Sequence, residues 1–557
     1  MRNYMDKYLQ WVNNPAIDET TRNELVSISE DSDEIKERFY KDLEFGTGGL
    51  RGIIGAGTNR MNIYTVRRAA SGLANYILKT LPDSEQASIA ISYDCRHFSK
   101  EFALQTALVM ASHGIKSYLF DSLRPTPVLS FAVRKLNCIA GVMVTASHNP
   151  PNYNGCKVYW QDGGQMSHPQ DSDVIKYVNE ILDPAAINVA DYEQAVKSGL
   201  MVYIGQEIDD AYHKHVRKLS VNTSALTKIA DTFTIVYSPF YGCGTAPMQR
   251  ALREAGFKHV HLVPEQSTPN PDFPTLKYPN PEDPMSFELA MKLGYEKNAD
   301  IIIATDPDAD RVGAMVKNSC GTFELLSGNA VGILLIEYIL TQKKHDNPGI
   351  ISTFVSTRLA KIIAEKNNAH YTETFTGFKN IAASIAKWEE LGKINFIFGF
   401  EESFGYLAGD FVRDKDGISA GMLLCEIAAH YKSLGKTLFD ALDEIYNKYG
   451  WHSEITHSVT MPGLDGAKKM SDTISGLRKN PPTSIAGSNV INTIDYAKHE
   501  NPSDMLYFTL RDESWFCIRP SGTEPKIKIY FGAVGNCKEQ AKSRVKAVSE
   551  AVLQLLQ

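Results

Sequence analysis

Between Ala87 and Asn367, short apolar, β-rich runs repeatedly break into a loop, and three of them resume as a helical pattern. ASIAISYDCR (Ala87–Arg96) is a strand and turn, and FALQTALVMASHG after it carries helical spacing. TFTIVYSPFYGCGTAPMQRALREAG repeats the plan with a Gly/Pro loop, and GIISTFVSTRLAKIIAEKN repeats it again. ADIIIATDPDADR is a continuous apolar strand that breaks into an acidic loop. Strands followed by helices at this rhythm predict βα units and parallel or mixed sheets. In such sheets ligand-binding groups collect in the loops beyond the carboxyl ends of the strands.

A chain of 557 residues exceeds the size at which one hydrophobic core keeps growing, so several domains are expected. The last hundred residues change character. SEITHSVTM, MLYFTLRD, SWFCIRPSG and IKIYFGAV read as strands, and KEQAKSRVKAVSEAVLQLL reads as a closing amphipathic helix. This predicts a smaller α+β domain with an antiparallel sheet. The first 40 residues read as a helical extension. The expected division is 1–208, 209–325 and 326–452 for three α/β domains, and 453–557 for the α+β domain.

The net charge of −7 comes without a basic block, which argues against nucleic acid as a partner. No run of 18 apolar residues suggests a membrane span, and the charged, aromatic start MRNYMDKYLQWVNNP does not read as a signal peptide. Eight scattered cysteines, with no C-x-x-C, read as small reduced side chains and suit a cytoplasmic protein.

Four loops carry chemistry. In T-D-P-D-A-D-R (Thr305–Arg311) three carboxylates alternate directly after a buried strand and repel one another unless a cation lies between them. Oxygen ligands of this kind suit Mg²⁺. An EF-hand fails, because Arg311 and Lys317 stand where Gly and Glu are required. R-P-S-G-T-E-P (Arg519–Pro525) sets a guanidinium, two hydroxyls and a glycine together, an anion cradle. In G-F-E-E-S-F-G (Gly399–Gly405), Glu401 and Ser403 share one side of an extended chain, where they could bond vicinal sugar hydroxyls; an exposed acidic strand end explains this motif nearly as well. VTASHNPPNYNGCK (Val144–Lys157) places Ser147 beside His148, but Thr145 and Asn149 stand where a nucleophile elbow needs glycine. Chain neighbours seldom present a serine–histidine dyad, so a protease-type nucleophile is not expected. A Walker loop fails at His430, and a dinucleotide fingerprint fails at Arg51.

In this order the four loops resemble those of the α-D-phosphohexomutase superfamily, over nearly the whole chain. FGTGGLRG and TGFKN (Thr376–Asn380) add to the resemblance, which is closest to the phosphoglucomutase/phosphopentomutase branch. It implies three similar α/β domains with mixed sheets plus a C-terminal, mobile α+β domain, arranged around a central cleft. It also implies that Ser147 carries a phosphoryl group and that Asp306, Asp308 and Asp310 bind Mg²⁺ together with a phosphoserine oxygen. Arg311 would lie near the transferred phosphoryl, Lys157 and Lys415 near the reacting oxygens, and His148 beside the nucleophile. Glu401 and Ser403 would read sugar hydroxyls, and Thr376, Gly377 and Lys379 would approach the ring. Arg51 would belong to the site. Arg519, Ser521, Gly522 and Thr523 would hold the phosphate that is not transferred.

The implied activity is reversible interconversion of glucose 1-phosphate and glucose 6-phosphate through glucose 1,6-bisphosphate, by a monomer or weak dimer acting on small sugar phosphates. Gly522 replaces an asparagine of some relatives, Glu402 stands where dual-specificity enzymes often carry methionine, and Ser403 leans the reading toward hexose over pentose. Phosphopentomutase and phosphomannomutase are the alternatives on the same machinery. A sugar-phosphate phosphatase with Asp306 as nucleophile, and a non-catalytic binding protein, are alternatives of other classes.

Overall fold

The computed structural model describes residues 4–44, 46, 49–81, 86–460, 463–498, 503–520 and 526–556. Its first sheet contains β1 (Gly49–Ile53), β2 (Ser88–Tyr93), β3 (Lys116–Phe120), β4 (Ala140–Val144), β5 (Tyr153–Trp160) and β6 (Met201–Ile204), in the order β1-β5-β4-β2-β3-β6. The β4-β2-β3-β6 pairings are parallel, and β5 and β1 continue the sheet antiparallel. β4 is buried at every residue, as a strand covered by helices on both faces must be.

The second sheet repeats the plan with β7 (Thr234–Ser238), β8 (His259–Leu262), β9 (Ile301–Thr305), β10 (Val312–Lys317) and β11 (Phe323–Leu325), in the order β11-β10-β9-β7-β8. The third contains β12 (Pro348–Thr353), β13 (His370–Thr374), β14 (Asn395–Glu401) and β15 (Gly405–Ala408), in the order β13-β12-β14-β15. Each sheet has a parallel core and an antiparallel extension, so all three are mixed.

The fourth sheet is antiparallel throughout: β16 (Trp451–Thr460), β17 (Ser484–Ile485), β18 (Ser488–Asp495), β19 (Leu506–Leu510), β20 (Trp515–Pro520) and β21 (Lys526–Gly535), in the order β16-β21-β20-β19-β18-β17. The expected fold class therefore stands: three α/β domains with mixed sheets and a C-terminal domain with an antiparallel one. The helices Tyr4–Asn13, Glu19–Ser27 and Ser32–Phe39 form the expected extension around Trp11, Leu25, Ile35 and Phe39. No helix among the described residues is long and apolar enough to cross a membrane.

One continuous apolar cluster runs from Phe120 and Phe131 through Phe233 and Ile301 to Phe398 and Leu423, joining the three α/β domains. The C-terminal domain has its own core around Phe508, Phe516, Ile529 and Phe531. It meets the third domain along an aromatic seam of Tyr496, Tyr507 and Trp515 against Phe354 and Phe375. Arg358 of the third domain lies over the Tyr507 and Trp515 rings. The C-terminal domain thus has a separate core and a distinct contact surface, whereas the other three are joined by one cluster beside further clusters within the first and second domains.

Candidate active site

β9 is an uninterrupted buried run, Ile-Ile-Ile-Ala-Thr, and the chain leaves its carboxyl end directly into Asp306. β4 runs out the same way into Thr145, Ala146 and Ser147. The two loops meet across the first and second domains. Ser147 Oγ donates to Asp306 Oδ2 at 2.6 Å, and Asp306, Asp308 and Asp310 are at most 1 % exposed. Oxygens from the three carboxylates lie within 4.8 Å of one another.

Cations surround this cluster. Lys157 Nζ, on β5, donates to Asp308 Oδ2 at 2.6 Å and to Asp310 Oδ2 at 2.7 Å. Lys415 Nζ lies 3.4 Å from Asp310 and 3.1 Å from Asp414. Arg311 donates its backbone N–H to Asp306 Oδ1 at 3.0 Å, and its guanidinium is paired with Glu282.

These charges set the titration of the site. Burial, together with repulsion from Asp308 and Asp310, raises the Asp306 carboxyl well above the ordinary range. Burial pushes Asp310 the same way, but Lys157, Lys415 and Arg311 outweigh it and hold this carboxyl well below that range. Burial lowers the Lys157 ammonium, yet Asp308 and Asp310 more than offset it and push the group up to about 12.

Even with these cations in place, Asp308 Oδ1 and Asp310 Oδ1 are buried with no hydrogen-bond partner. Two orphaned carboxylate oxygens beside a third carboxylate fit a hard divalent cation, whose oxygen preference they match. The triad could therefore hold a metal.

Ser147 has a positive φ of 50°, uncommon for a residue with a side chain. Its N–H donates to Thr145 Oγ1 at 2.8 Å, and that hydroxyl donates to Asp94 Oδ2 at 2.6 Å. The turned backbone also brings His148 Nδ1 to 3.3 Å from Ser147 Oγ. The two neighbours thus approach each other at a left-handed Ser147, but the serine hydroxyl donates to Asp306 and not to His148, so the arrangement is not a protease-type dyad. Burial, then Arg311 and Arg51, keep His148 well below its ordinary value, hence neutral. Arg51, on β1, reaches the same loop by donating to Asn149 Oδ1 at 2.9 Å.

The third domain closes one side. Glu401 ends β14 and accepts the Gly377 N–H at 2.6 Å, so the two loops expected at a sugar are already joined. Gly377 has a φ of 106°, which a residue with a β-carbon rarely adopts. Glu402 accepts from the hydroxyls of Thr353 and Ser356. It lies in the turn of residues 402–404 that follows β14, so the extended-chain alternation expected for Glu401 and Ser403 stops at Glu401. A bridge between Arg311 and Gly405 ties the acidic loop to this one. Ser403 and Thr376 are half-buried beside these residues in the chain. Lys379 lies 3.5 Å from Asp171 of the first domain, an ion pair that the sequence did not suggest. In the fourth domain Arg519 donates to the Tyr530 hydroxyl at 3.4 Å, and it and Lys528 both act electrostatically on Glu402. Ser521, Gly522 and Thr523 lie outside the described residues.

Several participants were missed. Thr126 bonds Asp308 twice, by its N–H to the carbonyl at 2.9 Å and by its hydroxyl to Oδ2 at 2.7 Å. Glu282, Asp414 and Arg96 also belong to the surroundings. Asp94 and Arg96 directly follow β2, where loop residues of such sheets gather; Thr126 and Glu282 carried no comparable signal.

Three stretches match the family descriptions phosphoglucomutase/phosphomannomutase, alpha/beta/alpha domains I, II and III, at residues 42–184, 210–321 and 327–449. The chain is 38 % identical over 511 residues to a phosphoglucomutase of Staphylococcus aureus, covering 89 % of this chain and 90 % of the relative. Among solved structures it resembles a phosphoglucomutase/phosphomannomutase family protein of Burkholderia thailandensis (TM-score 0.68, 17 % identity, 92 % of this chain and 96 % of that one). It also resembles the phosphoglucomutase pp63/parafusin of Paramecium in its open form (TM-score 0.68, 18 % identity, 93 % and 94 %). At these identities the structural matches speak for the fold.

Proposed function

The chain belongs to the α-D-phosphohexomutase superfamily, and on that premise we propose that it is a phosphoglucomutase interconverting α-D-glucose 1-phosphate and glucose 6-phosphate through a phosphoserine at Ser147. The observation that carries the reading is the 2.6 Å contact of Ser147 Oγ with Asp306, in a buried triad whose remaining oxygens are unsatisfied. A hydroxyl held there can carry a phosphoryl group whose charge is met by Lys157, Lys415 and Arg311 on several sides.

In the forward direction the Ser147 O–P bond breaks as a sugar hydroxyl forms its own bond to phosphorus. The proton of that hydroxyl passes to a neutral base and on to the departing Ser147 oxygen, and His148, unprotonated 3.3 Å from that oxygen, would carry it. The resulting glucose 1,6-bisphosphate turns over and returns its other phosphoryl group to Ser147. Arg519, with Ser521, Gly522 and Thr523, would hold the phosphate not in transfer, while Glu401, Ser403, Thr376, Gly377 and Lys379 would face the sugar. Asp306, Asp308 and Asp310 would hold Mg²⁺, which would supply positive charge against the phosphoryl oxygens. Transfer of this kind depends on positioning and charge neutralisation, and the site consists almost wholly of such groups.

Intact mass tests the reading. Protein incubated with glucose 1,6-bisphosphate should gain one phosphoryl group, and Ser147→Ala should gain none and lose activity. An alanine variant with full activity overturns it. Comparing kcat/KM on glucose, mannose and ribose 1-phosphates tests the substrate, and a pentose or mannose preference would change the name while leaving the mechanism.

A further inference from the structure

Arg96 lies outside all four chemical loops, in the turn after β2, and its side chain is fully buried. Its guanidinium donates to four backbone carbonyls, all between residues 147 and 153. These are Ser147 O at 2.6 Å, Asn149 O, Pro150 O at 2.8 Å and Tyr153 O at 3.1 Å. Asp94, two residues earlier, accepts the Arg96 N–H at 2.9 Å and holds Thr145, which in turn accepts the Ser147 N–H. One three-residue turn therefore grips the serine loop from both ends.

The other face of the guanidinium is covered from the second domain. The Phe273 ring centroid lies 5.0 Å from Arg96 Cζ. Phe273 is 1 % exposed and has a φ of 47°, so it is held in an uncommon backbone conformation, as is Ser147. Beside it, Asp272 pairs with His97 at 2.7 Å. The same segment, Asn270 to Asp283, carries Glu282, the partner of Arg311. Two uncommon backbone conformations in two domains thus meet on one guanidinium.

We infer that Arg96 is a positioning residue for phosphoryl transfer: it fans across the carbonyls of residues 147–153 and, clamped by Phe273, holds the Ser147 hydroxyl over the aspartate triad. The inference rests on the phosphoserine reading above. A planar fork with five donors can span four carbonyls, whereas the ammonium of lysine donates from a single point. Arg96 touches neither of the reacting oxygens. Its loss should therefore slow transfer and leave sugar-phosphate binding unchanged.

The test uses the full chain with Mg²⁺ and glucose 1,6-bisphosphate, reading single-turnover phosphorylation of Ser147 together with steady-state kcat and KM. Arg96→Lys should lower kcat and the phosphorylation rate by the same factor, about 10- to 100-fold, the scale for a reacting group displaced by about an ångström. KM should stay within about twofold. Phe273→Leu, which leaves every hydrogen bond in place, should slow both by about threefold or more. Guanidinium ion added to Arg96→Ala should restore part of the phosphorylation rate. A folded Arg96→Lys that phosphorylates at the wild-type rate, or a rise in KM in place of a fall in kcat, overturns the assignment. If Arg96→Lys does not fold, Phe273→Leu decides, and an unchanged rate overturns it. Wild-type protein that takes up no phosphoryl group defeats the mutase reading and this assignment together. Wild-type uptake with unaffected variants defeats only the role of Arg96.

Discussion

Ser147 and Asp306 belong to different domains and are joined by a 2.6 Å hydrogen bond from Oγ to Oδ2. The bond brings the loops after β4 and β9 together, so the serine proposed as nucleophile in one domain is held by the acidic loop of the next. Asp306→Asn keeps an acceptor of the same shape but removes one negative charge from the triad. It should lower kcat by about 10²- to 10³-fold and raise the Mg²⁺ concentration that supports half-maximal activity. Activity titrated with Mg²⁺ after chelation checks this, and an unchanged metal requirement would remove Asp306 from the ligand set.

Lys157 stands in the same cluster, shared between Asp308 and Asp310. Lys157→Met leaves those carboxylates with less compensating charge, and removing one partner of a buried pair costs roughly 3–5 kcal/mol. Wild-type protein should gain about 2.7 kcal/mol from Mg²⁺ at a hundredfold excess over Kd. Lys157→Met should gain more, because bound cation replaces the missing charge. Thermal unfolding with chelator and with saturating Mg²⁺ measures both. Equal metal-induced shifts in the two proteins would contradict the shared role of Lys157.

The acidic loop could be read from sequence because β9 is buried on both faces and shows as five apolar or near-apolar residues ending at Asp306. The family loops were legible for a related reason: their residues are consecutive. What stayed hidden is contact between distant segments. Arg96 gives no local sign of its role, because its partners are backbone carbonyls more than 50 residues away. The approach of His148 to Ser147 depends on a positive φ that no neighbouring glycine announces. β18, Ser-Asn-Val-Ile-Asn-Thr-Ile-Asp, is largely exposed and lacks the apolar alternation that marks a strand, so the width of the fourth sheet was not evident.

Gly328 shows another feature of this kind. It opens the helix Gly328–Gln342, and a β-carbon there would fall 1.9 Å from the Glu402 carbonyl oxygen. Backbone on backbone cannot yield as a flexible side chain can. Gly328→Ala should therefore push the loop holding Glu401 and Ser403 away, costing about 1–3 kcal/mol of stability. KM for the sugar phosphate should rise, since Glu401 would no longer face Gly377. Unfolding midpoints and steady-state kinetics check the two effects, and a variant normal in both would show that the helix start can shift.

Glu454 on β16 provides a pH-dependent prediction remote from the aspartate triad. Burial pushes its carboxyl from 4.5 up to about 7, against a smaller opposing effect of the Thr357 hydroxyl. The folded chain therefore keeps a proton that the unfolded chain releases, and stability falls as pH rises from about 4.5 to about 7. Glu454→Gln removes the titration and keeps the shape. It should match the wild type below about pH 4.5 and exceed it by about 1–3 kcal/mol above pH 7, a range reduced because Glu454 is only half-buried. Denaturant unfolding of both proteins across about pH 5 to 8 measures the difference. A gap that is constant with pH would place the effect in packing, and a gap that narrows as pH rises would mean that folding lowers this carboxyl's pKa.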